Sequence, residues 1–211
     1  AWFDGTADYV TVADSADLSI TGDLTISAWA INSSSALSAV EMLVSKYLTT
    51  GNQRSYNLHI DENEKLRMDI SSDGTVGNAG YQRTDSALSN IDALHHYVGT
   101  FDASGSTVVL YVDGAVVASS ASNMQSAIDD STATLEIGRF NTDTYYWNGM
   151  INEVSIWGDA FTLAEVQELY NDGKALDALT HSATSNLVSY WRNNGLATWE
   201  DLEGSNNGTP T

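Results

Sequence analysis

Short stretches in which polar and apolar residues alternate recur along most of the chain. In the stretch 23–31, Leu24, Ile26 and Ala28 share one side of an extended backbone and Trp29 lies on the other. A period of two residues is that of a β-strand. The pattern predicts strands over residues 23–31, 42–47, 55–60, 65–71, 96–101, 107–112, 115–119, 134–139 and 150–157.

The connections between these stretches favour antiparallel pairing. Asp113 and Gly114 separate two predicted strands by two residues. An Asp-Gly pair tolerates the positive φ angles of a type I′ hairpin turn. Many short strands without alternating helices are typical of an all-β antiparallel sandwich.

One segment has a helical period instead. Thr162 and Glu165 form a capping box, in which each side chain bonds the backbone of the other residue. Gly173 is a natural stop for the helix. The predicted helix has one apolar stripe, which we expect to pack against the sandwich: Leu163, Val166, Leu169 and Tyr170.

Composition narrows the classes of function. The 211 residues are 42% apolar, with 28 acidic and 8 basic side chains and a formal net charge of −20. This charge disfavours nucleic acid and anionic membrane surfaces as partners. No apolar run approaches the ~18 residues of a membrane span, and no secretion signal is visible. The acidity is explained by solubility, by calcium binding, or by both.

The chain contains no cysteine, so disulfides and thiolate metal sites are excluded. A secreted eukaryotic module would be expected to carry disulfides. Their absence favours a bacterial, archaeal or viral source.

Seven motifs follow one another in a fixed order, at residues 3–5, 8–10, 24–29, 95–102, 109–114, 135–138 and 148–157. Together they resemble the laminin-G-like (concanavalin A-like) jelly-roll family. This resemblance implies an antiparallel two-sheet jelly-roll sandwich over residues 1–173, with one short helix near its C-terminal side. Residues 174–211 are then expected to form a C-terminal extension or the lead-in to a further module of a longer chain. Within the extension, residues 186–192 predict a strand and residues 204–209 a polar loop.

The catalytic residues of the family's glucanases are missing. Those enzymes carry a Glu-x-Asp-x-x-Glu segment, and this chain has none. The acidic stretch 61–64 fits a solvated turn, and no Gly-x-Ser-x-Gly elbow occurs. His95 and His96 point to opposite faces of one strand, which favours structural hydrogen bonds over catalysis. We therefore expect no enzyme, with glycoside hydrolysis as a remote alternative.

A calcium site is one expectation from the resemblance. The N-terminal strand, residues 3–12, would lie beside residues 149–157 and bring Asp4 and Asp8 near Asn152 and Glu153. Carboxylate and amide oxygens are suitable Ca²⁺ ligands.

Two other interpretations of the acidic residues stay open. The loop 141–143 and Asp102 offer a second oxygen cluster. Alternatively, Asp4, Asp102 and Asp113 simply cap turns.

Exposed aromatic residues are the candidates for ligand contact, because sugar rings stack on aromatic rings. Tyr145 and Tyr146 follow a polar loop that contains Asn141, and they form the densest aromatic group. Tyr81 and Arg83, assigned to a glycine-rich loop, form a second candidate patch. Four other large aromatics are expected in the core: Trp29, Tyr111, Trp147 and Trp157.

These observations favour a non-catalytic recognition or adhesion module, exposed outside the cell or on a virion surface. Its loops would bind a glycan or a protein partner. The alternative is a structural decoration module of a virion, fibre or cell-surface array, in contact with neighbouring copies or modules.

Overall fold

The computed structural model describes residues 1–77, 79–83, 87–120, 124–141, 145–193 and 198–211, without the side chains of residues 82, 83 and 120. Within these ranges the chain forms two antiparallel sheets and one α-helix, as predicted for a jelly-roll sandwich. The strands are β1 (Trp2–Asp4), β2 (Val10–Val12), β3 (Leu24–Asn32), β4 (Glu41–Leu48), β5 (Gln53–Ile60), β6 (Leu66–Gly74), β7 (Ala79–Arg83), β8 (His95–Asp102), β9 (Thr107–Val112), β10 (Ala115–Ser120), β11 (Leu135–Ile137), β12 (Asn148–Trp157), β13 (Leu187–Trp191) and β14 (Gly208–Pro210), and the helix is α1 (Leu163–Tyr170).

The first sheet has the order β1-β12-β3-β8-β9-β10. Strand β13 also pairs with β12, beyond the segment of β12 that pairs with β1. The second sheet has the order β14-β2-β11-β4-β5-β6-β7. The N-terminal and C-terminal segments therefore contribute strands to both sheets.

The main core lies between the sheets and is built from the inward-facing residues of each strand. Leu58 and Met68 of the second sheet and Phe101 and Ile151 of the first are fully buried in this cluster. Each such side chain contributes about 1.5–3 kcal/mol by leaving water. The alternation predicted from sequence is thus the alternation between core and outer faces.

A second apolar cluster covers the outer face of the first sheet. Val166 and Leu169 of α1 pack with Tyr111 and Trp157 of that sheet and with Leu187 of the extension. The helix has the predicted capping box, since the Thr162 side chain accepts from Glu165 N and Glu165 accepts from Thr162 N. Among the described residues, no helix packs on the outer face of the second sheet.

The predicted hairpin is confirmed. Asp113 and Gly114 have φ angles of 51° and 72° between β9 and β10. Both values lie in the region that the type I′ turn requires. A Cβ at Gly114 would also lie 2.9 Å from Cδ1 of Tyr170, so the turn packs closely against the helix.

Three local predictions were wrong. The expected N-terminal strand is broken by a turn at Gly5, so that β1 joins the first sheet and β2 the second. Tyr81 and Arg83 lie on edge strand β7, not in a loop. Part of the expected polar loop 204–209 forms β14, which pairs with β2. In each case a long-range pairing decided a conformation that local composition did not indicate.

None of the described helices is long and apolar enough to cross a membrane.

Candidate functional site

A row of outward-facing side chains crosses the second sheet from β2 to β7. Backbone register pairs Thr11 with Glu136, Glu136 with Ser45, Ser45 with Asn57, Asn57 with Asp69, and Asp69 with Tyr81. Apolar neighbours along four of these strands belong to the core cluster, namely Val12, Ile137, Leu58 and Met68. Because successive side chains of a strand alternate between faces, the row lies on the outer face of the sheet. We call this surface the outer polar face; its members are Thr11, Ser45, Asn57, His59, Arg67, Asp69, Tyr81, Glu136 and Arg139.

An arginine stands near one end of the row. Arg139 donates from Nε and Nη2 to the two carboxylate oxygens of Glu136, at 2.7 and 2.5 Å. Its guanidinium lies 3.4 Å from the ring centroid of Tyr9, within the range of a cation–π contact. The hydrogen bonds to Glu136 hold the pKa of Arg139 above its usual value. Glu136 is itself buried, so this guanidinium is fixed in place.

A similar arrangement stands near the other end. Arg67 donates from Nε to Oδ1 of Asp69 at 2.8 Å, and its Nη2 lies 2.8 Å from the same oxygen. The guanidinium lies 4.0 Å from the ring centroid of Tyr81. Each end therefore combines an arginine, a carboxylate and a tyrosine ring. We call these two units the arginine platforms.

An aromatic cluster lies on the same side of the sheet. The ring of Tyr47 is 5.9 Å from that of Phe140, which is 6.0 Å from that of Tyr145. Met42 packs with the first two rings. Burial raises the pKa of Tyr47 to about 12, and the charge of Asp69 adds to this shift. Tyr145 is 37% exposed and is the accessible ring of the cluster.

The centre of the row contains a buried polar group without a partner. The Ser45 hydroxyl is buried, and among the described residues it makes no hydrogen bond. Next to it, Nδ1 of His59 is 2.9 Å from Oδ1 of Asn57 and 3.8 Å from Oδ2 of Asp69. Burial lowers the pKa of His59, while Asp69 opposes that shift. An unpartnered buried hydroxyl costs about 1–3 kcal/mol, and Nδ1 of His96 and the Tyr97 hydroxyl of the first sheet are buried without a partner among the described residues as well.

The structure brings part of the predicted ligand set together. Tyr145 and Tyr81 both lie on the side of the outer polar face, and Tyr81 is 47% exposed. Tyr146 pairs with Arg139 and packs on Tyr9 with a centroid distance of 6.2 Å. Asn141 is buried and donates to the Thr134 hydroxyl at 3.0 Å, so its amide group serves the fold.

Other predicted residues lie partly or wholly outside the described part of the chain. The backbone of Arg83 pairs with Arg67 on β7, but its side chain is outside that part. Thr142 and Asp143 of the second oxygen cluster are outside it entirely.

The four residues expected to bind calcium do not converge. Strand β1 runs antiparallel to β12 and pairs Asp4 with Asn148, which leaves Asn152 and Glu153 four and five residues further along. Asp4 and Asp8 do lie together, since Asp8 Oδ2 accepts from Asp4 N at 3.0 Å. No group of three acidic, histidine or cysteine side chains suited to a metal occurs among the described residues. Calcium binding by either pair alone stays a prediction.

Asp4 and Asp102 instead cap turns. Oδ1 of Asp4 accepts from the backbone of Thr6 and Ala7 at 2.8 Å, and these bonds hold its pKa well below the usual range. Asp102 accepts from Gly105 N at 2.9 Å, which lowers its pKa. The turn-capping interpretation is confirmed for both residues.

Glu153 and Asn152 attach the C-terminal extension to the first sheet. Glu153 accepts from the Tyr190 hydroxyl and, at 2.8 Å, from Nε of Arg192. The Asn152 side chain accepts from Asn193 N at 2.9 Å. The oxygen atoms considered for a metal therefore already bond protein groups.

Several residues of the outer polar face were missed by sequence reasoning. Asn57 and His59 flank Leu58, and Arg67 and Asp69 flank Met68, so both strands alternate strictly between polar and apolar. In an inner strand of a sheet this alternation predicts one polar outer face. That signal was present in the sequence. Which residues are neighbours across the sheet, however, can be known only from the register of the strands.

The fold defines this chain as a jelly-roll β-sandwich domain with one helix-covered face and one polar face. The chain belongs to the concanavalin A-like lectin/glucanases superfamily, whose family model matches residues 4–167. A comparison with curated proteins found no match.

Solved structures with this fold include three informative examples. A Bacteroides ovatus protein to which carbohydrate binding is ascribed is 18% identical with a TM-score of 0.71; the alignment covers 97% of this chain and 56% of that one. The CBM40 domain of a Ruminococcus gnavus sialidase, bound to α2,3-sialyllactose, is 14% identical with a TM-score of 0.61, covering 81% and 97%. The binding domain of botulinum neurotoxin DC, in complex with rat synaptotagmin II, is 13% identical with a TM-score of 0.57, covering 77% and 39%. At these identities the likeness concerns the fold, and the chain spans about half of the Bacteroides protein.

Proposed function

We propose that this chain is a non-catalytic glycan-binding module and that the outer polar face of the second sheet is its contact surface. The observation that carries the proposal is the combination of two exposed tyrosine rings, Tyr81 and Tyr145, with ordered arginine side chains on one side of the sheet. Apolar contact area combined with a few fixed polar groups is typical of a ligand site. Part of the outer face of the first sheet is covered by α1, whereas among the described residues no helix packs on the outer face of the second sheet.

The chemistry of the face suits a sugar. Tyr145 and Tyr81 are exposed rings on which the apolar C–H side of a sugar can stack. Arg67 and Arg139 supply guanidinium donors for ring hydroxyls or acidic substituents. Binding sites of this type combine apolar contact area with a few well-placed polar groups that fix orientation.

The spacing of the carboxylates supports binding without hydrolysis. Glu136 and Asp69 are three strands apart in the row, or about 14 Å at the usual strand spacing. Glycosidase carboxyl pairs lie about 5 to 9.5 Å apart. Each of these two carboxylates also accepts hydrogen bonds from an arginine, so its oxygen atoms are already engaged within the protein.

The similar structures add support at the level of fold. Two of the three have carbohydrate binding in their description, and the third is a complex with a protein receptor. A protein partner is therefore the competing outcome of the test below. The proposal includes an exterior location, on a cell or virion surface, where glycans are displayed.

A glycan array with three protein samples tests this proposal. We expect binding by the wild type, and a loss of about tenfold or more in affinity for Tyr145→Ala, because one stacked ring is worth over 1 kcal/mol. Trp2→Ala is the matched control, since Trp2 is an exposed aromatic residue on the first sheet, and it should bind as the wild type does. A folded wild type without a hit on a broad array, or equal losses for both variants, would overturn the proposal.

A further inference from the structure

The charges of the outer polar face are layered, with guanidinium groups above carboxylates. The Arg139 side chain is 16% exposed and its partner Glu136 is 2% exposed. The Arg67 side chain is 30% exposed and Asp69 is 10% exposed. The surface offered to a ligand is therefore basic at both platforms, on a chain whose formal net charge is −20.

Both guanidinium groups are held in a fixed orientation. Each is bonded through Nε and Nη2 to its carboxylate and packs against a tyrosine ring, and Arg139 also has a side-chain hydrogen bond with Tyr146. A guanidinium that is already ordered loses little entropy when it binds a ligand. Arginine also matches carboxylate and sulfate groups better than lysine does, because its planar fork donates two parallel bonds.

The layering distinguishes between two kinds of glycan. A site for a neutral sugar needs exposed acceptors for hydroxyl groups, and here the carboxylates lie beneath the arginines that occupy them. An anionic sugar needs exposed donors, which the platforms provide. Long-range repulsion from the rest of the chain opposes any anion, so close contact with a guanidinium must supply the attraction.

The outer polar face carries two arginine platforms at a fixed separation. Their carboxylates are three strand spacings apart, about 14 Å across the sheet. Tyr47, Phe140 and Tyr145 supply aromatic surface on the same side of the sheet. A ligand that meets both platforms needs two anionic groups separated by several sugar rings.

We infer that the ligand of this face is a linear acidic glycan with repeated carboxylate or sulfate groups, one of which binds at each arginine platform. The inference rests on the proposed function and specifies its ligand class. A glycan with a single terminal charge would engage one platform only. A linear polymer with regular charges would engage both and cross the strands between them.

Isothermal titration with ligands of different length and charge tests this inference. The probes are oligogalacturonates of two to six residues, heparin oligosaccharides of the same lengths, and neutral cello-oligosaccharides. We expect affinity for one acidic series to rise at least about tenfold between the shortest and longest probes, as the second platform is reached. Comparison of the uronate and heparin series distinguishes carboxylate from sulfate. Binding of the acidic probes should also weaken with added salt.

Variants test whether the dependence of affinity on probe length arises from the arginine platforms. Arg67→Gln should reduce affinity for the longest acidic probe about tenfold and leave the shortest probe little changed. Arg139→Lys keeps a charge beside Glu136 but loses the fork, and should reduce the same affinity severalfold while preserving the fold. Lys174→Gln, which changes the net charge equally at an exposed residue away from this face, should leave binding unchanged. Circular dichroism confirms folding in each case.

The outcomes separate this inference from the proposed function. Equal binding of neutral and acidic probes of one length, or affinity independent of length, would overturn the inference and leave glycan binding intact. Equal effects of Arg67→Gln and Lys174→Gln would overturn it as well. A folded protein that binds no glycan on the array or in the titration would overturn both.

Discussion

Nε of Arg192 lies 2.8 Å from Oε1 of Glu153, and this ion pair joins the C-terminal extension to the first sheet. Glu153 sits in the bulge of β12 with a φ of 49°, a left-handed conformation that is unfavourable for most residues. The bulge turns its carboxylate towards β13, where the Tyr190 hydroxyl also donates to it. Burial, followed by the bond to Glu153, raises the pKa of Tyr190.

Replacing Glu153 should loosen the extension. We expect Glu153→Ala to lower the free energy of unfolding by about 2 kcal/mol, because it removes hydrogen bonds to a charged group and leaves the Tyr190 O–H without its acceptor, while Arg192 Nη2 still donates to that hydroxyl oxygen. The expected loss of stability is modest because Arg192 is 36% exposed and can be hydrated. Glu153→Gln keeps the shape and an acceptor oxygen, and should lose about half as much. Urea denaturation measures both values, and equal stability of Glu153→Ala and wild type would contradict this role.

Those parts of the fold that depend on local sequence could be predicted. The Asp113-Gly114 turn requires positive φ angles that few residue pairs tolerate, and the capping box at Thr162 depends on residues three apart. The strands with strict alternation, such as β5 and β6, could be predicted equally well. Strand β14 could not be predicted, because this three-residue strand owes its conformation to pairing with β2 and not to its own composition.

The candidate site was only partly predictable for the same physical reason. Tyr145 and Tyr81 stand out as aromatic residues in polar surroundings, and the sequence alone identifies them. The placement of these two tyrosines relative to each other depends on the register of five strands. The same register brings Glu136 and Asp69 into one row across the sheet. The four residues predicted to bind calcium fall into two separate pairs, because β1 pairs Asp4 with Asn148, which lies four residues before Asn152.

The capping box of α1 gives a direct test of how firmly the helix covers the first sheet. Thr162→Ala should destabilise the protein by about 1 kcal/mol, because the backbone N–H of Glu165 loses its acceptor. Thr162→Ser retains the hydroxyl and is the matched control, with a loss of a few tenths of a kcal/mol at most. Thermal unfolding followed by circular dichroism compares them. A melting temperature of Thr162→Ala equal to that of the serine variant would show that apolar packing alone holds the helix.

His96 should make the stability of the protein depend on pH. Burial lowers its pKa from 6.5 to about 3, with the charge of Asp113 opposing the shift. Between these values the unfolded chain binds a proton that the folded chain does not. The stability is therefore fully present above about pH 6.5 and falls by up to about 1.4 kcal/mol per pH unit as the pH drops towards 3.

A variant separates this effect from the titration of the many carboxylates. His96→Gln removes the titrating group but keeps a side chain able to bond the Ser27 hydroxyl, which lies 2.7 Å from Nε2 of His96. Between pH 6 and 4, the free energy of unfolding of this variant should fall less steeply than that of the wild type. The difference should be about 1.4 kcal/mol per pH unit, the slope that corresponds to one bound proton. His59→Gln is a second test, because burial lowers the pKa of His59 as well. Parallel pH profiles for the wild type and His96→Gln would contradict the prediction.

Lys46 on β4 carries a buried ammonium group. Its Nζ lies 2.5 Å from Oδ1 of Asp14 and donates to the carbonyl oxygens of Ser131 and Ala133 at 2.8 and 2.7 Å. The ammonium group therefore joins β4 to two segments of the chain that lie far from it in sequence. Removing it leaves two buried carbonyl groups without that donor.

We expect Lys46→Met to lower the free energy of unfolding by about 3 kcal/mol, as for other buried ion pairs that lose one partner. Asp14→Asn should cost less, about 1 kcal/mol, because the Asp14 side chain is 31% exposed and the amide still offers an acceptor oxygen. The double variant should be more stable than the sum of the single losses predicts, since the two residues are in contact. Urea denaturation at pH 7 gives all three values. Strictly additive losses would show that the Lys46–Asp14 contact contributes nothing, and that the carbonyl groups alone account for the effect of Lys46→Met.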